Sequence, residues 1–160
     1  MEDRFTDGVR NAWQFAQEEA AKLGSDYVGT EHLLLGIAHE EDTAGGKILA
    51  ELGITVPAVE SLLQQMEVQS LMRSSELYVA PRTKRVLQMA VGEANEMGNN
   101  YIGTEHLLLA ILHEGGGLAV KILEHFNVTE DRLEKAFQKV LSEDSTGRSS
   151  KESGLGDLSD

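Results

Sequence analysis

Cysteine is absent from all 160 residues, which excludes disulfides, thiolate nucleophiles and Cys-ligated zinc. Basic residues are scarce: 14 Lys plus Arg stand against 27 Asp plus Glu, a formal charge of −13. Phosphate backbones and anionic bilayers are gripped by basic surface, so neither nucleic acid nor a membrane is expected as a partner. Long apolar runs are missing too. The stretch Leu33 to Ala38 is far too short to span a bilayer, and the opening MEDRFTDGVR carries no apolar segment of a secretion signal. We therefore read a soluble, cytoplasmic protein. No segment sustains period-two alternation, so strands are not expected. What is present is 41% hydrophobic residues, enough for a core, in a length that favours one compact domain.

Catalytic signatures are lacking as well. Gly45-Gly46-Lys47 is followed by Ile48 rather than Ser or Thr, and neither it nor Gly115-Gly116-Gly117 has the frame of a nucleotide loop; these glycines read as tight turns. His32 and His39, like His106 and His113, stand seven residues apart, whereas zinc proteases need two histidines at i and i+4 around a glutamate. There is no nucleophile elbow and no spacing that pairs a nucleophile with a histidine. The expectation is a non-catalytic chain with no metal and no cofactor.

The strongest feature is an internal repeat. Gly29-Thr30-Glu31-His32-Leu33-Leu34-Leu35 recurs 74 positions later as Gly103-Thr104-Glu105-His106-Leu107-Leu108-Leu109. The same gapless offset pairs Gln14 with Gln88, Tyr27 with Tyr101, His39 with His113 and Lys47-Ile48-Leu49 with Lys121-Ile122-Leu123. Two such copies imply two similar units related by a pseudo-twofold and packed into one body.

Each unit reads as four helices. Val9, Ala12, Trp13, Ala16, Ala20 and Leu23 form an amphipathic stripe, repeated by Val86, Leu87, Ala90, Ala94 and Met97, with Thr83 weakening it where Val9 stands in the first copy. Gly24 and Gly98 are placed to end these helices, and Thr30 and Thr104 to cap the next ones, which carry the Leu triplets into the core. A third helix is expected over about 44–52 and 118–126, and a fourth after Thr55, with Pro57 in its first turn, and after Thr129. The fold class expected is all-α, an eight-helix pseudo-twofold double repeat in one domain over 1–141. Repeat one covers about 3–66, a connecting loop with some helical tendency 67–79, and repeat two about 80–141. Residues 142–160, rich in Ser, Gly, Asp and Lys, are expected to be a flexible tail or linker to something larger.

The doubled motif, the Arg4-Phe5-Thr6 start and the entry Ala80-Pro81-Arg82-Thr83-Lys84-Arg85 resemble the N-terminal double-repeat domain of ClpC-type Clp ATPases, the bacterial unfoldases that feed a proteolytic barrel. The resemblance covers residues 3–141. It implies a domain without ATPase activity that docks adaptor proteins and recognises substrates, including those marked by arginine phosphorylation. It implies further that the glutamates of the repeated motif, Glu31 and Glu105, hold the guanidinium, beside Thr30 and Thr104. A threonine opening each half helps with the phosphate: Thr6 matches, while its repeat partner is Ala80. On that basis Thr6 and Glu31 are expected to form the better site. The ending Gly156-Asp157-Leu158-Ser159-Asp160 resembles the approach to the first ATPase module, so ATPase modules of a parent chain are expected partners. The alternative is a stand-alone accessory protein that stabilises the Clp complex without a client pocket.

The residues agree with that reading on physical grounds. A carboxylate in the first turn of a helix is favoured by the macrodipole and can take a guanidinium in a bidentate fork. The helix start Thr6-Asp7-Gly8 offers amide donors for a phosphate, with Arg4 or Arg10 nearby, although Asp7 opposes an anion. Phe5, Arg10 and Tyr78 are the candidates for an adaptor or peptide groove.

Overall fold

A computed structural model describes residues 3–66 and 77–151. Among them run eight helices: α1 Asp7–Lys22, α2 Thr30–His39, α3 Ala44–Glu51, α4 Val56–Gln65, α5 Pro81–Glu96, α6 Thr104–Glu114, α7 Gly117–His125 and α8 Glu130–Lys151. The chain is all-α, as its periodicity implied. Thr6, Thr43 and Thr55 cap α1, α3 and α4 by accepting the amide of the residue three positions on. Gly24 and Gly98 adopt φ of +80° and +75° just past α1 and α5, the left-handed turn that only glycine takes freely.

One apolar core draws on both halves. The Leu triplets supply its centre, where Leu33, Leu34, Leu35, Leu107 and Leu108 are fully buried; Leu109 stays partly exposed beside α8. The halves interlock, because α3 of the first packs on α6 of the second while α7 packs on α2. Trp13 lies half-buried at the edge of the core, where Leu87 stands in the other half.

Two expectations need correction. Short parallel strands do occur: β1 (Tyr27–Val28) pairs with β2 (Tyr78–Val79), and Phe5 bridges Ile102 in the same sense. The two pairings are repeat-equivalents, made of segments too short to show a period. Their bonds are backbone ones: Thr6 N–H to the Ile102 carbonyl (3.0 Å), Ile102 N–H to Arg4 (2.8 Å) and Ala80 N–H to Val28 (3.1 Å). Each half thus threads its leading segment onto the other half. Thr83 does not weaken the α5 stripe either: it is fully buried, its hydroxyl donating to the Val28 carbonyl at 2.9 Å.

In the connecting stretch, positions 67–76 lie outside the described residues, and 78–79 are strand β2. The stretch read as a tail from 142 begins as helix, since α8 continues to Lys151. Extending a formed helix requires no new nucleus, and no proline stops it there. Positions 152–160 lie outside the described residues.

Candidate functional site

The repeated Gly-Thr-Glu-His motif builds the same local structure twice. The helix caps are Gly29 and Gly103 rather than Thr30 and Thr104, and the histidines complete them. Gly29 N–H donates to His32 Nδ1, and Gly103 N–H to His106 Nδ1, each at 2.9 Å. Since an amide only donates, Nδ1 must accept, which leaves the proton on Nε2; that of His106 meets Asn99 Oδ1 at 2.8 Å. Burial pushes His32 down to about 4 and His106 in the same direction. Both imidazoles are therefore neutral structural groups.

The freed threonine hydroxyl reaches elsewhere. Thr104 Oγ1 accepts the Gly45 amide and bonds Thr43 Oγ1, both at 2.8 Å, tying the start of α6 to the start of α3. Glu31 and Glu105 are 3% and 4% exposed, folded back over the preceding glycine. A Cβ on Gly29 or Gly103 would come within 2.3 Å of the glutamate Oε1, so the motif's glycine makes room for its carboxylate. A tyrosine covers each: Tyr27 donates to Glu31 Oε2 at 3.1 Å and Tyr101 to Glu105 Oε2 at 3.2 Å. Burial raises Glu31, against the pull of its own backbone amide and Tyr27; burial and the adjacent carboxylate push Tyr27 up to about 12.

A cavity of about 420 Å³ opens over Glu105. Thr6, Asp7 and Gly8 line it from α1, Asp42, Thr43 and Ala44 from the start of α3, and Tyr101, Gly103 and Thr104 from the start of α6. Three helix starts converge there, each with partly free amides and the positive end of its dipole, facing three carboxylates. Thr6 is therefore brought to Glu105, not to Glu31. The exchanged leading segments are the reason: Phe5 is bridged to Ile102, just ahead of the second motif, whereas β2 delivers Ala80 beside Val28, just ahead of the first. The half-site in which alanine stands in place of Thr6 is the one containing Glu31.

A family profile, Clp repeat (R) N-terminal domain, matches residues 4–116 and again 83–157. The chain belongs to that family. The ClpC/MecB negative regulator of genetic competence of Bacillus subtilis (strain 168) is 32% identical over 149 residues, covering 93% of this chain and 18% of the relative. This chain thus spans less than a fifth of that protein. The crystal structure of the N-terminal domain of the caseinolytic protease associated chaperone ClpD from Arabidopsis thaliana superposes with a TM-score of 0.69 at 31% identity, covering 87% of this chain and 98% of that one. A ClpV N-domain in complex with a VipB peptide matches with a TM-score of 0.65 at 17% identity, covering 87% and 88% respectively, a likeness of fold alone.

In this Clp N-terminal domain the three groove candidates separate. Phe5 is 6% exposed and belongs to the core, because its bridge to Ile102 draws the ring inward; it is no surface anchor. Arg10 secures the same segment, its guanidinium donating to the carbonyls of Phe5 and Asp3, each at 3.3 Å. Tyr78 alone presents apolar surface, 55% exposed on β2 with its ring centroid 6.1 Å from that of Tyr27. Tyr27, Tyr101 and Thr43 join the site beyond the residues that the repeated motif marked. The tyrosines carried a signal, recurring at the repeat offset four residues before the glutamates; Thr43 has no repeat partner of its kind and showed none. Among the described residues no His, Asp and Glu side chains gather in a metal-binding group, and no single helix is long and apolar enough to cross a membrane.

Proposed function

We propose that this chain is the adaptor- and substrate-recognition domain of a ClpC-type AAA+ unfoldase that feeds a Clp protease in the cytoplasm, and that it takes clients marked by phosphoarginine. In this reading residues 1–141 form the recognition body, and 142–160 lead towards the ATPase modules of a parent chain. The observation that carries it is the cavity in which Glu105 faces the starts of α1 and α3. A ligand carrying both a guanidinium and a phosphoryl group suits that charge pattern. The carboxylate accepts the guanidinium, and helix-start amides with the hydroxyls of Thr6 and Thr43 receive the phosphoryl oxygens. A plain anion meets Asp7, Asp42 and Glu105 without a cation to offset them. The peptide held by the ClpV N-domain supports the coarser part of this reading, a binding role for the fold.

Calorimetry with free phosphoarginine tests it, with arginine and inorganic phosphate as separate controls. Charge-assisted hydrogen bonds are worth about 1.5–3 kcal/mol, so Glu105→Gln should weaken phosphoarginine about tenfold or more. Unchanged affinity in the Glu31→Gln, Glu105→Gln double variant overturns the assignment.

A further inference from the structure

The repeat offset sets Gly8 against Arg82 and Thr43 against Gly117, and the two pairs exchange bulk. Over the Glu105 cavity Gly8 packs on Thr43, where a Cβ on Gly8 would come within 2.7 Å of Thr43 Cγ2. In the related place it is Arg82 that lies on Gly117. A Cβ on Gly117 would stand 2.8 Å from Arg82 Cδ and 2.9 Å from Thr30 Oγ1, and one on Gly116 would fall 1.8 Å from Arg82 Nη1. The Arg82 side chain thus rests directly on the backbone at the start of α7, beside the Thr30 hydroxyl of the first motif.

Glu114 fixes it there. Arg82 Nη1 donates to Glu114 Oε1 at 3.0 Å, Gly116 N–H donates to the same oxygen at 3.0 Å, and Arg85 Nη1 takes Oε2 at 2.9 Å. Burial would raise this carboxyl, but the Gly116 amide and the two guanidinium groups outweigh it and hold it below its ordinary value. The side chain of Arg82 remains 42% exposed, so its seated edge is engaged while its outer face meets water. Ala80 and Pro81 differ from Thr6 and Asp7 in the same direction, offering neither a hydroxyl nor the first helical amide.

We propose that Arg82 is an internal occupant of the second cradle, and that the domain takes an external guanidinium–phosphate ligand through the Thr6–Glu105 cradle alone. The ligand class rests on the function proposed above; the occupancy does not. A ligand approaching Glu31 must displace a guanidinium held by a charge-assisted bond and then finds fewer donors, whereas the first cradle is open.

Amide NMR spectra of the full chain and of Arg82→Gly, with Arg82→Ala as a second variant retaining helix propensity, test this with two probes. Free phosphoarginine should shift the amides of Thr6, Gly8 and Gly45 in the wild type. In the variants it should shift Thr30, Gly116 and Gly117 as well, with one ligand per chain becoming two. Methylguanidinium should shift Gly116 and Gly117 in the variants but not in the wild type, reporting the vacated seat whatever phosphoarginine does. Parallel shifts of both sets in the wild type overturn the proposal, as does loss of second-cradle shifts on removing Arg82, which would make Arg82 a ligand rather than an occupant. Methylguanidinium failing to find the seat in either variant overturns it too. Phosphoarginine silent throughout while methylguanidinium fills the seat would remove the proposed ligand and leave the internal occupant standing.

Discussion

Phe5→Ala should detach the segment that carries Thr6 to Glu105 without unfolding the rest of the domain. The docked segment gains the burial of one phenylalanine, about 1.5–3 kcal/mol, and two cross-half backbone bonds at about 1 kcal/mol each. Against this stands the ordering of Arg4, Phe5 and Thr6, at about 1–2 kcal/mol per residue. The margin is at most about 2 kcal/mol, smaller than the 3–5 kcal/mol that deleting a buried phenyl ring typically costs. Native-state hydrogen exchange reads the result at the Ile102 amide, which donates to the Arg4 carbonyl at 2.8 Å. Its protection should fall by up to about 30-fold, the full 2 kcal/mol at 1.4 kcal/mol per factor of ten. The Ala80 amide, which donates to the Val28 carbonyl as Thr6 does to that of Ile102, should keep its protection, as should Leu34 and Leu108 in the core. Phosphoarginine affinity should fall together with the Ile102 protection. An Ile102 amide as protected as in the wild type, or core amides losing protection in parallel, refutes the reasoning.

Gly36→Ala should destabilise the domain by about 1–3 kcal/mol or more in urea unfolding, because its Cβ would lie 2.1 Å from the Ala12 carbonyl oxygen where α1 crosses α2; the repeat-equivalent Ala110 carries that methyl without penalty. Thr83→Val removes one bond to the Val28 carbonyl, which retains the Ala80 amide, so urea unfolding should show a loss of only about 0.5–1.5 kcal/mol. Glu19 is held up at about 7 by burial and by its neighbour Glu60, with Lys22 opposing. The folded chain therefore keeps a proton that the unfolded chain releases near 4.5, and this contribution is full below that pH and lost as pH rises to about 7. Glu60 moves the opposite way and titrates below that window, so thermal melts should show Glu19→Gln gaining on the wild type from pH 5 to pH 7.5. An equal difference in melting temperature at both pH values contradicts this.

Much of the architecture was legible from local patterns. The stripe of Val9, Ala12, Ala16 and Ala20 marked α1, Thr55 and Pro57 marked the start of α4, and the doubled Leu triplets marked the two central helices. The glutamates were legible as a pair, because a seven-residue identity at a constant offset singles them out. Their partners were not. An offset says which residues are equivalent, and nothing about whether a segment docks on its own half or on the other. Phe5 looked like a surface residue near the chain start for the same reason.

The sequence by itself determined the helices, the twofold repetition and the residue types at each motif, since caps, glycine stops and apolar periods act within a few residues. Only the tertiary structure decided that Thr6 shares a cavity with Glu105, that Ala80 docks on Val28 just ahead of Glu31, and that Arg82 rests on Gly117. Those pairings are made by backbone hydrogen bonds and by packing between residues distant along the chain. Backbone bonds carry no side-chain signature, and the exchange of a glycine for an arginine shows its meaning only when the opposing residue, Thr43 or Gly117, lies beside it.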